Sequence, residues 1–316
     1  MIIATPDDVT AAVLAEAART PDARTREILA AGIAHLHAFV RDARLTENEF
    51  RHLCGVIARL GQMTSASHNE VMLAAGSLGV SSLVCLLNNR GGSAGEGTTA
   101  NLMGPFWRAG APITEQGGSI VRSPTPGEPL FVTAWVRDPQ GRPVADAEVD
   151  VWHASPEGFY ENQDPQQADM NLRGRFVTDA DGSIAFRSVK PAGYPVPVDG
   201  PVGDLLRAQG RHNMRPAHLH FLIHKPGWKA QFSQVYSGDD PHLETDSQFG
   251  VTRALVAHYE RHDDARDAPA SDVGAPWFSL QRTFVIEPGD AALPKPPISG
   301  KSTGERPALA VLQRRP

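Results

Sequence analysis

Cysteine is almost missing from this chain: only Cys54 and Cys85 occur among 316 residues, both in apolar, helix-like surroundings. Two such thiols cannot form a disulfide framework, and the chain is expected in a reducing compartment, the cytoplasm. They also leave no set of soft thiolates for a zinc or iron–sulfur site. Long hydrophobic runs are missing as well. No stretch reaches the roughly 18 apolar residues of a membrane span, and MIIATPDDVT has neither a basic n-region nor an apolar core, so neither export nor membrane insertion is expected. Positive charge is not in excess: a net charge of −6 and a pI near 6.0 argue against nucleic acid or an anionic membrane surface as partner. With 41% hydrophobic and 21% charged residues the chain is otherwise an ordinary globular one, long enough for one large core or two smaller ones.

Residues 20 to 100 carry helical patterns. Thr20-Pro21 reads as an N-cap with proline at the first helical position, after which Leu29, Ile33, Leu36 and Val40 form an apolar stripe. Thr46 and Glu49 make a capping box, and Phe50, Leu53, Cys54, Ile57 and Leu60 continue one helical face until Gly61. Two shorter helices are expected around Leu73 to Leu78 and Val80 to Leu87. The segment reads as an α-helical lobe of three to five helices, whose apolar surface serves either as core or as a dimer contact. Between Arg90 and Gly118, Gly, Ser, Thr and Pro mark a loop. Gly95, Gly97 and Ala100 match G-x-G-x-x-A there, but with no strand before them and Pro105 close behind they do not read as a dinucleotide site.

From Leu130 the hydrophobic period becomes two. Strands are expected at Leu130 to Arg137, Glu148 to His153, Gly174 to Thr178, Ser183 to Phe186, His218 to His224, Gln231 to Tyr236 and Ser279 to Ile286. Asp138-Pro139-Gln140-Gly141 and Asp179-Ala180-Asp181-Gly182 supply the turn chemistry between them. Short strands with few intervening helices indicate a β-sandwich or barrel; one helix, Val251 to His262, is expected to interrupt the set. The tail from Ala291, rich in Pro, Lys and Arg, is expected to wrap the surface as an extended arm or to stay disordered.

The stretch RHNMRPAHLHFLIH, Arg211 to His224, stands out chemically. On a strand His218, His220, Leu222 and His224 share one face, so two imidazoles one residue apart can grip a single ion. On a helix the same spacing diverges, and His35-Leu36-His37, in a helical pattern, therefore reads as structural. Tyr160, in SPEGFYENQD, and Tyr194, in PAGYPVPVDGPVG, stand in loop-like segments bracketed by Pro and Gly, where rigid backbone can aim a side chain. A phenol titrates near pH 10, so two phenolates at neutral pH need a strongly polarising cation, and hard oxygen donors with imidazole match Fe(III). At the level of residues, two other readings stand beside it. One is a non-catalytic β-sandwich binding module; the other is a zinc hydrolase on His218 and His220, for which no suitable carboxylate lies nearby.

Taken together, GPFWRAGAP (104–112), DVWHASPEGFY (150–160), GYPVPVDGPVG (193–203) and RPAHLHF (215–221) make the chain, from about residue 20 to 290, similar to the intradiol ring-cleavage dioxygenases. These open catechols and hydroxyquinol with non-haem Fe(III). The resemblance implies a mainly β protein with α: an N-terminal helical dimerisation lobe (1–100), a β-sandwich Fe(III) catalytic domain (101–290) and an extended C-terminal tail (291–316). It implies one ferric ion per subunit held by Tyr160, Tyr194, His218 and His220, with Tyr194 displaced by the diol and accepting a proton from it. Arg215 and Gln234 match the pair that stabilises charge on the reacting ring. The implied assembly is a homodimer through the helical lobe, with a lipid or fatty-acid tail at the contact in relatives.

Within the family, Gly104-Pro105-Phe106 and the Tyr194 to Gly203 loop resemble the hydroxyquinol-cleaving branch more closely than the catechol or chlorocatechol branches. By that resemblance the pocket wall comprises Leu73, Gly76, Met103, Gly104, Pro105, Phe106, Val196, Pro197, Arg215 and Gln248. Two positions depart from the branch: Gly76 where Asp is usual, and Gln248 where an apolar residue is usual. Together they are expected to enlarge one side of the pocket, with Gln248 hydrogen-bonding a third ring substituent.

Overall fold

The computed structural model describes residues 2–88 and 98–315; Gly95 and Gly97 of the glycine pattern lie outside them. The chain divides into two compact units, Met1–Ala58 and Arg59–Pro316. This boundary falls well before residue 100, where the helical lobe was expected to end.

In the first unit α1 (Pro6–Ala17) packs on α2 (Ala23–Asp42), and α3 (Glu47–Gln62) begins there. Thr5 and Asp8 form a capping box that starts α1, a helix the sequence reading does not anticipate. For α2 the cap is Asp22 rather than Thr20, since its carboxylate accepts from Thr25 N at 2.7 Å. Thr46 and Glu49 do form their reciprocal box, Thr46 N to Glu49 Oε2 at 2.8 Å and Glu49 N to Thr46 Oγ1 at 3.3 Å. His37 sits on α2 with its Nδ1 2.9 Å from Thr10 Oγ1, a helix-to-helix contact rather than half of a metal pair.

The second unit holds α4 (Glu70–Ser77), α5 (Val80–Asn88), α6 (Pro201–Ala208) and a β-sandwich. Its first sheet runs β10-β11-β1-β4, from Glu260–His262, Trp277–Val285, Pro129–Arg137 and Ser183–Val189; β1 pairs parallel with β11 and antiparallel with β4. The second runs β3-β2-β7-β8-β9, from Arg173–Val177, Glu148–Trp152, His218–His224, Gln231–Ser237 and Val256–Ala257. A two-residue ribbon, β5 (Tyr194–Pro195) with β6 (Met214–Arg215), completes the set.

Alternation decides what each strand face meets. β1 buries every second residue, and Leu130, Val132, Ala134 and Val136 interlock with Val149, Val151, Leu219, Phe221, Ile223 and Val235 of the other sheet. The opposite face of the second sheet is covered by α4, α6 and loops, giving a separate cluster that contains Leu73, Val202, Leu206, Trp152, Leu222, Tyr160 and Tyr194.

Two local expectations are corrected. Val251 to His262 is not a helix: it folds as a short 3-10 turn, Arg253–Leu255, followed by edge strands β9 and β10. Val256–Ala257 pair in parallel with Tyr236–Ser237 of β8, and Glu260–His262 pair with β11, ladder bonds that a helix could not make, while buried Tyr259 donates through its OH to Val235 O at 3.1 Å. The last three residues of GYPVPVDGPVG open helix α6, begun by Pro201 at its first position. Its N-terminus is capped from outside, because buried Glu70 accepts from Val202 N at 3.0 Å.

Candidate active site

The site lies on the outer face of the second sheet. On β7, Leu219, Phe221 and Ile223 point into the sandwich, so His218, His220 and Leu222 point out of it. Register sets Trp152 and Gln234 on either side of His220, and Tyr236 beside His218. Trp152 stacks on the His220 ring, centroids 4.6 Å apart and planes 8° apart, which fixes the imidazole plane.

Tyr160 comes from the loop after β2. Its neighbours anchor that loop: Glu161 takes hydrogen bonds from Arg173 Nε at 2.6 Å and Arg108 Nη1 at 2.8 Å, and Asn162 accepts from Arg173 Nη2 at 3.0 Å, all buried. Tyr194 is fixed by pairing with Arg215 across the β5–β6 ribbon.

Four donor atoms converge. Tyr160 OH stands 3.3 Å from Tyr194 OH, 3.4 Å from His218 Nε2 and 3.0 Å from His220 Nε2, and the two Nε2 atoms are 3.1 Å apart. All four residues are buried, none more than 3% exposed. The carbonyl of Pro216, 2.7 Å from His218 Nδ1, requires a proton on that nitrogen and leaves Nε2 as a lone pair. Burial, reinforced by the Arg215 charge, pushes the His218 pKa down to about 3; burial and His218 push His220 well below its ordinary value. Both imidazoles are thus neutral. Burial and the neighbouring Tyr194 push the Tyr160 phenol well above 10, a direction that only a cation at the oxygens would reverse.

Among the described residues no group of three or more His, Cys, Asp and Glu is placed to hold a metal ion. The His218–His220 pair finds its further donors in phenols, and a neutral set of nitrogen lone pairs and ionisable oxygens suits a hard, highly charged ion such as Fe(III). His220 Nδ1 has no hydrogen-bond partner, so on that side of the ring the stacked Trp152 rather than a hydrogen bond sets its orientation.

Beside these atoms is a cavity of about 270 Å³. It is lined by Leu73, Gly76, Met103, Gly104, Pro105, Phe106, Val196, Arg215 and Gln248, together with Tyr194 and, beyond the sequence reading, Met72, Val80, Ser81, Val84, Cys85 and Leu102. That volume lies just below the ~300–1,000 Å³ of ligand clefts and suits one substituted ring. Gly104, at φ +73°, brings bare backbone against His220: a Cβ there would stand 3.2 Å from the ring's Cε1.

Four expected residues sit differently. Pro197 does not line this cavity; the chain turns at Val196, and Pro197 faces a second cavity of about 500 Å³ beneath the C-terminal tail. Gln234 lies behind the wall, its Nε2 donating to Leu102 O at 2.8 Å and its Oε1 accepting from Arg215 Nη2 at 3.0 Å and Tyr236 OH at 2.6 Å. Gly76 and Gln248 do not enlarge the pocket. A Cβ on Gly76 would fall 2.0 Å from Gln248 Oε1, so the amide fills the space the glycine vacates, locked by Nε2 donating to Ser77 Oγ at 2.7 Å.

Arg215 ties the site together. Nη1 donates to His218 Nε2 at 3.2 Å, and Nε and Nη2 both reach Asp246 at 3.1 Å. Burial alone would raise the Asp246 carboxyl, but the Arg215 charge outweighs it and holds the pKa below its ordinary value. Asp246 and Trp152 were not anticipated. Tyr236 could have been found from its alternation with Gln234 on β8, whereas Asp246 lies in irregular chain 31 residues from Arg215.

Comparison with known proteins places the chain in a family. A dioxygenase family profile matches residues 102–285, and a profile for the catechol dioxygenase N terminus matches 22–95. A hydroxyquinol 1,2-dioxygenase of Rhizobium sp. (strain MTP-10005) is 40% identical over 87% of this chain and 92% of its own length. A 6-chlorohydroxyquinol 1,2-dioxygenase of Cupriavidus pinatubonensis is 38% identical over 89% of this chain and 97% of its own. The solved hydroxyquinol 1,2-dioxygenase of Pseudomonas putida DLL-E4 superposes with a TM-score of 0.79 at 36% identity, covering 90% of this chain and 99% of that one. The match thus spans the helices, the sandwich and the buried tyrosine–histidine centre alike, and the chain belongs to the intradiol ring-cleavage dioxygenase family.

Proposed function

We propose that the chain opens hydroxyquinol (1,2,4-trihydroxybenzene), or a substituted relative, between its two adjacent hydroxylated carbons, with Tyr160, Tyr194, His218 and His220 holding a ferric ion. Both atoms of O2 enter the product: the ring C–C bond is replaced by two carboxyl groups, giving a cis,cis-muconate-type diacid, or maleylacetate from hydroxyquinol. One observation carries the reading: two phenol oxygens and two imidazole nitrogens, all buried, meet beside a cavity the size of one ring. When bound, Fe(III) would supply the Lewis acidity that ionises phenols at neutral pH.

The chain's own groups do the rest. Tyr194 lines the cavity, and its Oη takes a proton from one diol hydroxyl in this reading. Arg215, on the wall and buried beside Asp246, keeps a positive charge within reach of the anionic ring, in a site dry enough to strengthen it. Gln234 and Tyr236 hold the guanidinium in place rather than touch substrate. Leu73, Phe106 and Val196 exclude water around the ring. With its Nε2 committed to Ser77, Gln248 turns Oε1 to the wall beside Gly76, where it suits a third ring hydroxyl as donor.

Oxygen uptake with hydroxyquinol, catechol, pyrogallol and their chlorinated forms, with products weighed by mass spectrometry, tests the proposal. Hydroxyquinol is expected to be cleaved fastest, by a wine-red protein coloured by phenolate-to-iron charge transfer. An iron-loaded protein that consumes no O2 with any of these diols would sink it. The apolar stretch of wall at Met72, Val80 and Val84 favours catechol or chlorocatechol as the second reading. The proposal extends to a cytoplasmic homodimer through the helical lobe, where Leu29, Leu36, Phe39, Phe50 and Ile57 stand exposed; native mass spectrometry would show twice the chain mass, with any bound lipid as an addition.

A further inference from the structure

The proposed centre depends on two loops that carry no regular structure of their own around Tyr160 and only a two-residue ribbon at Tyr194. Both loops are held by the same distant segment, the C-terminal tail, which the reaction itself does not use.

At the first loop Arg306 reaches Glu157 at 3.1 Å and Asp164 at 3.0 Å, carboxylates on either side of Tyr160 in sequence. Its guanidinium also lies 4.8 Å over the ring of Phe159, the residue next to Tyr160. Ser302 N donates to Asn162 O at 2.8 Å, Lys301 donates to Gln167 O, and Leu309 packs on Gly158. At the second loop the fully buried Asn213 is a two-sided clamp. Its Nδ2 donates to Val196 O at 2.7 Å and to Ala310 O at 2.8 Å, while its Oδ1 accepts from Leu312 N at 2.8 Å. Asn213 O in turn accepts from Val196 N at 2.8 Å. One strand of tail therefore closes over the Tyr160 loop and then over the Tyr194 wall, with buried Ile298 seated in the same apolar cluster as both tyrosines.

We propose that the tail from Ile298 to Arg315 is a strap that sets the positions of Tyr160 and Tyr194, with Arg306 and Asn213 as its positioning residues. Neither residue lines the cavity or touches the four converging atoms, so the strap acts through the loops. This rests on the proposed role of the two tyrosines, and the test separates the two ideas.

Hydrogen exchange is measured on the full-length protein, on Arg306→Ala, on Arg306→Lys and on a chain ending at Gly304, alongside thermal melting, the visible charge-transfer band and steady-state kinetics. In Arg306→Ala the amides of 157–167 are expected to exchange at least ~10-fold faster while those of β1 and β7 keep their protection. The band should shift, and kcat should fall by about 10-fold with KM changed less, because sub-ångström displacement of a reacting constellation is costly. Lysine, which keeps the charge but not the fork, should restore part of both. The shortened chain should loosen 194–198 as well; if it does not fold, the full-length Arg306 variants decide. Unchanged exchange in 157–167, or faster exchange with band and kcat untouched, would overturn the strap. A parent protein that takes up no iron would instead defeat the metal reading, and the exchange data would still decide whether the tail holds the loops.

Discussion

The two faces of β7 carry opposite assignments within seven residues. Leu219, Phe221 and Ile223 are fully buried in the sandwich and interlock with the facing sheet. His218 and His220 are buried just as deeply on the other face, where their surroundings are aromatic rings, loops and buried ion pairs, Arg215–Asp246 and Arg173–Glu161. Burial is equal and its use is not: on one side it stabilises by removing apolar area from water, and on the other it holds ionisable groups in the uncharged state a metal needs. A strand of period two lets the same backbone serve both ends.

The sharpest test sets neighbours against each other. His220→Ala is expected to abolish colour and lower kcat/KM by more than about three orders of magnitude, as removal of a member of a cooperating set does. Its loss of stability should be the smaller of the two, because the imidazole has less apolar area to lose than a core phenyl ring and its Nδ1 has no hydrogen-bond partner. Phe221→Ala, one residue along, should cost about 3–5 kcal/mol in a denaturant titration. Comparable stability losses in the two variants would break the division of the strand into two faces.

Next in size is the ion pair behind the site. Asp246→Ala leaves the buried Arg215 charge uncompensated and should cost about 3–5 kcal/mol. Because Asp246 has a depressed pKa in the folded protein, its contribution is complete above the unfolded carboxylate value and is lost as pH falls through the lower folded one. The stability difference between parent and variant should therefore shrink below about pH 4. A difference that stays constant down to pH 2 would show that the pairing is not electrostatic.

Smaller effects come from the pocket wall. Gly76→Ala forces the Gln248 amide off Ser77 and should cost about 1–3 kcal/mol, whereas adding Gln248→Ala should remove most of that penalty in a double-mutant cycle. Additive penalties would mean that the two positions do not share space. Last, Gln248→Val should lower the preference for hydroxyquinol over catechol by about 10-fold, the worth of one buried hydrogen bond. An unchanged ratio would remove Gln248 from substrate choice.

What could be read in advance follows from how local each cause is. The span of β7 and its histidine face come from alternation alone, and the Thr46–Glu49 box from a four-residue pattern. The two tyrosines were legible as a pair only with the surrounding motifs, since a loop tyrosine by itself is ordinary. α1 carries the same local signals, Thr5-Pro6 and Asp8, and was legible from its four-residue capping pattern. The rest depended on partners far away in sequence. Asp246 owes its place to Arg215, α6 takes its cap from Glu70, and the Gly76–Gln248 exchange is visible only when the two meet in space. At Val251 to His262 an apolar pattern compatible with a helix was overruled by the free edge of β8, which pairs with β9.

The parallel pairing of β1 with β11 has a consequence for synthesis. Leu130 is matched with Phe278 and Arg137 with Val285, so the first sheet strand made must wait for the last before its hydrogen bonds are complete. On the ribosome, β1 and β4 can pair early, but the open side of β1 stays a bare template until residue 285 has left the exit tunnel. Nascent chains halted anywhere before β11 should therefore depend on chaperones, and the proposed metal site on the other sheet should become competent only after that final strand docks.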